Sequence, residues 1–238
     1  MAKPHGRGWL STCVAAAAFA LALLLPQPKS GAQESAVDLA LVLAVDCSFS
    51  VDSQEFRLQM EGLGRAFLRP EVKKAIRAGY QQRIAVIVMQ WSDEGNQLVV
   101  LPWTVLAGDA DADEVGNILK VMPRRLAEGG TSISTALAFG QALFATAPKA
   151  ERRVIDVSSD GRNNIGPPVD AARDRVVAAG ITINALAILN EWPTLDVYFE
   201  QQVAGGEGHF VIPANNYEAY GEAIYRKLLK EITGPGIS

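Results

Sequence analysis

Residues 39–50 read LALVLAVDCSFS, and this stretch decides the predicted fold. Its first seven residues are all apolar, which is typical of a central strand buried on both faces of a parallel sheet. Asp46, Ser48 and Ser50 follow at alternate positions, so one carboxylate and two hydroxyls stand at the carboxyl end of that strand. Open parallel sheets bind their ligands at this edge. Oxygen donors of this kind suit a hard divalent cation better than they suit a nucleophilic mechanism.

The first 32 residues have the pattern of a secretory signal peptide. Basic Lys3 and Arg7 precede an apolar segment at about 13–25, and small residues at 30–32 end in Ala32. We predict cleavage after Ala32, because the apolar segment is too short for a comfortable membrane span; an uncleaved anchor helix is the alternative. Residues 33–238 are then long enough for one domain with a full core, in a chain that is 49% hydrophobic.

The charge of the predicted mature chain limits its partners. Three of the 22 basic residues and none of the 26 acidic ones lie in 1–32, which leaves 19 basic residues against 26 acidic ones and a net charge of −7. This balance argues against nucleic acid or an anionic membrane surface as the partner. Cys47 is the one cysteine outside the predicted signal peptide, so no intramolecular disulfide is expected. We expect a periplasmic or secreted monomer, without membrane insertion of the mature chain.

Strand and helix patterns alternate along the chain. Apolar runs predict strands at 39–45, 83–91, 97–106, 152–158, 181–189 and 209–212. Helical spacing predicts helices that begin after Asp52, at Asp109 and at Ser132 or Ser134, and others at 170–179, 195–203 and 217–232. Pro70 ends or kinks the first helix, and Pro102 places the third strand at an edge. The predicted class is α/β, with a three-layer, doubly wound, mostly parallel sheet, one antiparallel edge strand and helices on both faces.

Two further loops bring oxygen donors to the same edge of the predicted sheet. Thr131 follows the sequence Glu-Gly-Gly, and Asp160 follows the strand at 152–158. With Asp46, Ser48 and Ser50 they complete the order Asp-x-Ser-x-Ser, distant Thr, distant Asp. In this respect residues 38–232 resemble the von Willebrand factor type A (vWA) domain, a Rossmann-like fold with a metal-ion-dependent adhesion site (MIDAS). Five scattered matches are far more specific than Asp-x-Ser-x-Ser alone.

The resemblance implies a metal site and a protein partner. Ser48 and Ser50 are expected to bind the cation directly, while Asp46, Thr131 and Asp160 act directly or through water. The expected ion is Mg²⁺, with Mn²⁺ or Ca²⁺ as alternatives, and a partner's Asp or Glu fills the open position. The helix at 217–232 resembles the helix that shifts on ligand engagement in some family members.

Three other interpretations remain open. In the first, Asp46, Ser50 and Asp160 only cap helices and turns. In the second, Asp46 is the nucleophile of a metal-dependent phosphatase or hydrolase, as in the haloacid dehalogenase type, although that chemistry wants a second Asp where Ser48 stands. In the third, the chain is a metal-free vWA scaffold in an envelope complex. We expect a binding module and not an enzyme, because His209 is the one histidine after residue 32 and no Gly-x-Ser-x-Gly motif occurs.

Several polar residues lie outside this pattern. Asp156 interrupts an apolar strand, where an unpaired charge is costly, so it needs a partner or another role. Arg124-Arg125 and Arg152-Arg153 are expected on solvated faces or at strand flanks. Asn163-Asn164 either faces a ligand or, as we prefer, shapes a turn. Trp192 is expected either at the rim of the site or in packing, and Cys47 is expected to be a small buried spacer.

Overall fold

The computed structural model describes residues 36–234 and contains six strands and seven α-helices in that range. The strands are β1 Val37–Asp46, β2 Ile84–Trp91, β3 Gln97–Leu106, β4 Ala150–Ser159, β5 Thr182–Ile188 and β6 Val211–Ala214. The helices are α1 Ser53–Leu68, α2 Pro70–Ala78, α3 Asp109–Lys120, α4 Ile133–Leu143, α5 Val169–Ala178, α6 Leu195–Tyr198 and α7 Tyr217–Thr233. The predicted signal peptide and its cleavage after Ala32 lie outside the described residues.

The six strands form one sheet in the order β3-β2-β1-β4-β5-β6. Only β3 runs antiparallel to its neighbour, and it lies at the edge, where Pro102 needs no partner on its free side. The long apolar strand β1 lies at the centre, between β2 and β4. The α/β class with one antiparallel edge strand is therefore confirmed.

Two hydrophobic layers cover the sheet. Alternate β1 side chains such as Leu41 and Leu43 pack with α1, α2, α3 and α7 on one face. Val42 and Ala44 point to the other face, where α4, α5 and α6 cover them. This two-sided burial explains why β1 is a continuous apolar run instead of an alternating one. None of the helices in 36–234 is long and apolar enough to cross a membrane.

The capping signals in the sequence are largely confirmed. Asp52 caps α1, the helix that was predicted to begin after it, and forms a capping box with Glu55. Pro70 does more than end α1, because it occupies the first turn of α2, where its missing N–H costs nothing. The prediction of a strand at 209–212 was wrong by two residues, since β6 pairs Val211 with Ala185 of β5.

Candidate functional site

The site lies where the carboxyl ends of the two central strands meet. Val45 of β1 is in register with Ser158 of β4, so Asp46 and Asp160 leave the sheet side by side. After β1 the chain enters α1 on one face, and after β4 it enters α5 on the opposite face. This divergence makes a crevice at the topological switch point, the usual ligand position in open parallel sheets.

Hydrogen bonds join the two carboxylates to nearby hydroxyls. The backbone N–H of Ser48 donates to one oxygen of Asp46 at 2.6 Å, and the Ser159 hydroxyl donates to the other. The Ser50 hydroxyl donates to Asp160 Oδ1 at 2.6 Å, and the Ser48 and Ser50 oxygens are 3.3 Å apart. Four of the five predicted residues are thus linked directly. Ser159 was missed in the sequence, because its role depends on pairing across 113 residues.

Thr131 completes the set from the loop before α4. It is buried, and a Cβ placed on Gly161, the neighbour of Asp160, would lie 3.3 Å from the Thr131 hydroxyl oxygen. The threonine loop therefore lies directly against the Asp160 loop, where a larger side chain at Gly161 would require Thr131 to shift by a few tenths of an ångström. The structure brings all five predicted residues to one place.

The two carboxylates are buried close together without a cationic side chain. Both Asp46 and Asp160 are fully buried, and no salt bridge within residues 36–234 involves either of them. Burial, together with the charge of Asp160, raises the pKa of Asp46 to about 7. Burial also raises the pKa of Asp160, although the nearby hydroxyls of Ser50 and Tyr217 act to lower it, and Asp160 Oδ2 makes no hydrogen bond of standard geometry. Two buried acids and an orphaned oxygen beside neutral hydroxyls fit a divalent ion that prefers oxygen ligands.

Within residues 36–234, no group of three or more acidic, histidine or cysteine side chains is placed to hold a metal ion. A donor set of this site's type contains only two carboxylates, so its remaining ligands must be hydroxyls or water. Hydroxyl and water ligands at octahedral geometry are typical of Mg²⁺, whereas Ca²⁺ takes more carboxylate oxygens. The residues present therefore fit Mg²⁺ better than Ca²⁺.

Arg124 holds the loop that carries Ser48. Its Nη2 donates to the carbonyl oxygens of Cys47 at 2.7 Å and Ser48 at 3.1 Å, and its Nη1 donates to the Val51 carbonyl at 2.9 Å. The expected solvated position was therefore wrong for this residue. Arg152 lies near the start of β4, as a strand-flank position predicts, and it donates to the last carbonyls of α7. Every residue has a backbone carbonyl, so the residues that accept these hydrogen bonds cannot be recognised from their amino-acid type. The sequence therefore gives no signal for such contacts.

The two asparagines hold the threonine loop. The Thr131 N–H donates to Asn164 Oδ1 at 2.8 Å, and the Asn164 N–H donates to the Thr131 carbonyl at 2.9 Å. Asn163 Oδ1 accepts from the Ser134 N–H at 3.1 Å. Both asparagines therefore shape the site from behind, which agrees with the preferred interpretation as turn formers.

The first residue of α7 also faces the site. Tyr217 is buried, and its hydroxyl lies near the Asp160 carboxylate without a hydrogen bond of standard geometry. Burial raises its pKa, and the charges of Asp160 and Asp46 raise it further. Cys47 is buried as expected, and burial together with the Asp46 charge raises the pKa of its thiol to about 12. A thiol in that state is neither a nucleophile nor a metal ligand at neutral pH.

Asp156 is paired away from the site, in the core beneath α7. Lys227 Nζ lies 2.7 Å from Asp156 Oδ2 and 2.6 Å from Glu231 Oε1, and all three side chains are at most 1% exposed. Asn184 donates to the same Glu231 oxygen at 3.1 Å. Burial and the charge of Glu231 raise the pKa of Asp156 to about 8. We call Asp156, Lys227 and Glu231 the buried triad.

Comparison with known proteins places the fold. A family model described as "Protein of unknown function (DUF1194)" matches residues 36–236. No protein of curated function matches the sequence. Similar solved structures include proximal thread matrix protein 1 from the mussel byssus, at 17% identity and a TM-score of 0.63, over 85% of this chain and 50% of that one. Another is the vWF domain of the type V pili tip protein Mfa5 from Porphyromonas gingivalis, at 12% identity and a TM-score of 0.56, over 85% of this chain and 99% of that one.

These similarities establish a vWA-like fold. The chain spans half or less of the length of the first three similar structures, one of which is a Lactobacillus rhamnosus pilus adhesin. A further structure of the mussel protein has a zinc-occupied MIDAS motif, at 18% identity and a TM-score of 0.60 over 85% of this chain and 50% of that one. At such identities the likeness concerns the fold alone.

Proposed function

The chain belongs to the DUF1194 family, and we propose that it is an exported, metal-dependent protein-binding module that captures an acidic group of a partner protein. One observation carries this proposal: two fully buried carboxylates, one with an unpartnered oxygen, meet three hydroxyl residues at the switch point of a vWA-like sheet. The similarity to pilus and byssus proteins supports an extracellular or periplasmic setting, which agrees with the proposed signal peptide and its removal after Ala32.

Each residue of the site has a proposed task. Ser48, Ser50 and Asp160 Oδ2 offer oxygen atoms to the cation. Asp46 has both oxygens engaged by Ser48 and Ser159, so it acts through water. Thr131 closes the set from the opposite loop. When bound, Mg²⁺ supplies an electrophilic centre for one more anionic oxygen, and the two carboxylates balance its charge.

Catalysis by Asp46 has no support in these contacts. A phosphate-accepting carboxylate needs a free oxygen and a nearby acid or base, whereas Asp46 accepts two hydrogen bonds and Ser48 occupies the acid position. His209 lies outside the site, with its ring against the Gly206 carbonyl at 2.9 Å. A binding role therefore fits the arrangement better than hydrolysis does.

Calorimetric titration of the metal-stripped protein with Mg²⁺ and Mn²⁺ tests the proposal. We expect saturable one-site binding that Asp46→Ala abolishes. Asp52→Asn is the matched control, because it changes a carboxylate six residues away while Asn still caps α1. Absence of binding in the unaltered protein, or equal binding in Asp46→Ala, would contradict a metal-dependent module and favour the metal-free scaffold.

A further inference from the structure

Phe49 projects into solvent from the centre of the candidate metal loop. It lies between Ser48 and Ser50, and 74% of its surface is exposed. Its backbone N–H donates to the Gly129 carbonyl at 2.9 Å, and Arg124 holds the carbonyl of Ser48. The loop backbone is thus fixed on both sides, so the ring is presented outward. Because a large aromatic ring is exposed to water here, a partner that covers it would lower the free energy of the complex.

Ile165 and Trp192 are exposed on two other loops around the site. Ile165 follows Asn164, which holds Thr131, and its Cγ2 lies 2.8 Å from where a Cβ on Gly130 would stand. It is 37% exposed, and Trp192 is 48% exposed on the loop after β5. The guanidinium of Arg162, two residues after Asp160, lies 5.0 Å from the centre of the Trp192 ring. We call Phe49, Ile165 and Trp192 the apolar rim.

Acidic residues at the same edge limit which partner can reach the rim. Glu55, at the start of α1, accepts a hydrogen bond from the Asn190 amide at 3.3 Å. Burial raises the pKa of Glu55, and the charges of Asp52, Asp160 and Glu191 raise it further. The charge of Glu191 also contributes to the raised pKa of Asp160. Arg162 is engaged by the rings of Trp192 and Tyr198. A run of acidic residues on a partner would meet these carboxylates, whereas a single carboxylate between apolar neighbours would not.

We propose that the apolar rim is a docking surface for an exposed protein segment in which one Asp or Glu is flanked by apolar side chains. The inference rests on the proposed function, because the carboxylate of that segment fills the open position at the metal. The rim then selects the residues beside the carboxylate, as apolar contacts around a polar centre do in protein interfaces. The metal requires that the segment carry a carboxylate. Phe49, Ile165 and Trp192 select among such segments by the apolar residues beside that carboxylate.

A library of nine-residue peptides with a central Asp and random flanks, displayed on phage, tests this surface in the presence of Mg²⁺. We expect Mg²⁺-dependent enrichment of apolar side chains beside the Asp. The strongest peptide and its version with Ala flanks are then compared by fluorescence anisotropy. The unaltered protein should prefer the apolar flanks by ~10-fold, as loss of an anchor residue commonly costs in interfaces. The Phe49→Ser and Trp192→Ser variants should each lose most of this ratio.

Tyr80→Ser is the matched control. Tyr80 is 91% exposed on the turn before β2, at the opposite edge of the sheet, so this variant should keep the full ratio. Since both affinities are measured on one variant, a change in metal affinity cancels in the ratio. Thermal unfolding of each variant verifies that it is folded.

The other outcomes separate the two proposals. Mg²⁺-dependent selection of Asp peptides without flank preference, or a ratio unchanged in Phe49→Ser and Trp192→Ser, would overturn the docking surface and leave the proposed function standing. Selection that is equal in EDTA would contradict the proposed function itself. Self-association in sedimentation velocity that Phe49→Ser abolishes would assign the rim to a second copy of this chain and overturn the peptide surface.

Discussion

Replacement of Lys227 by Met removes the cation of the buried triad and keeps most of the apolar stem. Lys227 is the only cationic side chain within 4 Å of either carboxylate among residues 36–234. Without it, Asp156 and Glu231 stay buried, with Asn184 as the remaining donor to Glu231. Loss of one member of a buried ion pair typically costs about 3–5 kcal/mol, because the other member keeps an uncompensated charge. Against a total stability of about 5–15 kcal/mol, this is a severe loss.

Urea unfolding at pH 9, where Asp156 with its pKa of about 8 is mostly ionised, measures this loss through the fluorescence of the fully buried Trp91. Thermal unfolding gives a second measure of the same loss. A domain of this size loses about 2–4 °C in Tm for each kcal/mol of stability, so we expect the Tm to fall by about 6–20 °C. The double variant Lys227→Met with Asp156→Asn removes one of the two orphaned charges, and it should recover about 1–3 kcal/mol. A Lys227→Met variant within about 1 kcal/mol of the unaltered protein, or a double variant no more stable than Lys227→Met alone, would refute the reasoning.

Three further predictions concern the pH dependence of stability, helix packing and the metal site. The pKa of Asp156 is raised from its ordinary value of 3.8 to about 8, so the folded state binds a proton more tightly than the unfolded state does. The free energy of unfolding should therefore fall as pH rises from about 4 to 8, by at most about 1.4 kcal/mol per pH unit. Urea unfolding at pH 6, 7 and 8 should show a smaller fall per pH unit for Asp156→Asn than for the unaltered protein. Gly64→Ala would place a Cβ 2.5 Å from the Gly116 carbonyl oxygen, where α1 meets α3, and should lower the free energy of unfolding in urea by about 1–3 kcal/mol. Gly221→Ala is the control, because its Cβ would make only an ordinary 3.7 Å contact, and it should be neutral or stabilising. Asp160→Asn removes one of two adjacent buried charges, so in EDTA the variant should have a higher Tm than the unaltered protein. Its Tm should no longer rise when Mg²⁺ is added. A variant with a lower Tm than the unaltered protein in EDTA would contradict this prediction.

The sheet and the site could be predicted because their signals are local. The apolar run of β1, the Asp52 capping box and the strand-end position of Asp160 each depend on a few consecutive residues. Parallel strands then bring their carboxyl ends to one edge, which joins Asp46 to Asp160 without any knowledge of side-chain contacts.

The supporting contacts could not be predicted because they join distant segments. Arg124 binds the carbonyls of residues 47, 48 and 51, and a carbonyl is the same whatever the residue type. The sequence identified Asp156 as costly but could not name Lys227, since the pairing depends on how α7 lies against β4. Lys227 itself has an ordinary helical position one residue before Leu228. Only the packed structure shows that its charge is buried.

The boundaries of short elements depend on their neighbours as well. His209 and Phe210 favour an extended chain, yet β6 begins at Val211 because the backbone of Ile183 in β5 is already paired with Gly205. The Phe210 N–H instead donates to the side chain of Asn184, the residue that also binds the buried triad. A side chain of β5 thus takes the hydrogen bond that a longer strand would have made.

Crystals grown with Mn²⁺ and measured with X-rays near the manganese absorption edge test the central claim most directly. The account predicts one strong anomalous peak about 2.0–2.3 Å from the Ser48 and Ser50 hydroxyl oxygens, with Asp160 and Thr131 in contact directly or through water. The peak should be absent from crystals of Asp160→Asn grown under the same conditions. A fully ordered site without a peak, or a peak elsewhere on the molecule alone, would contradict a metal-dependent binding module.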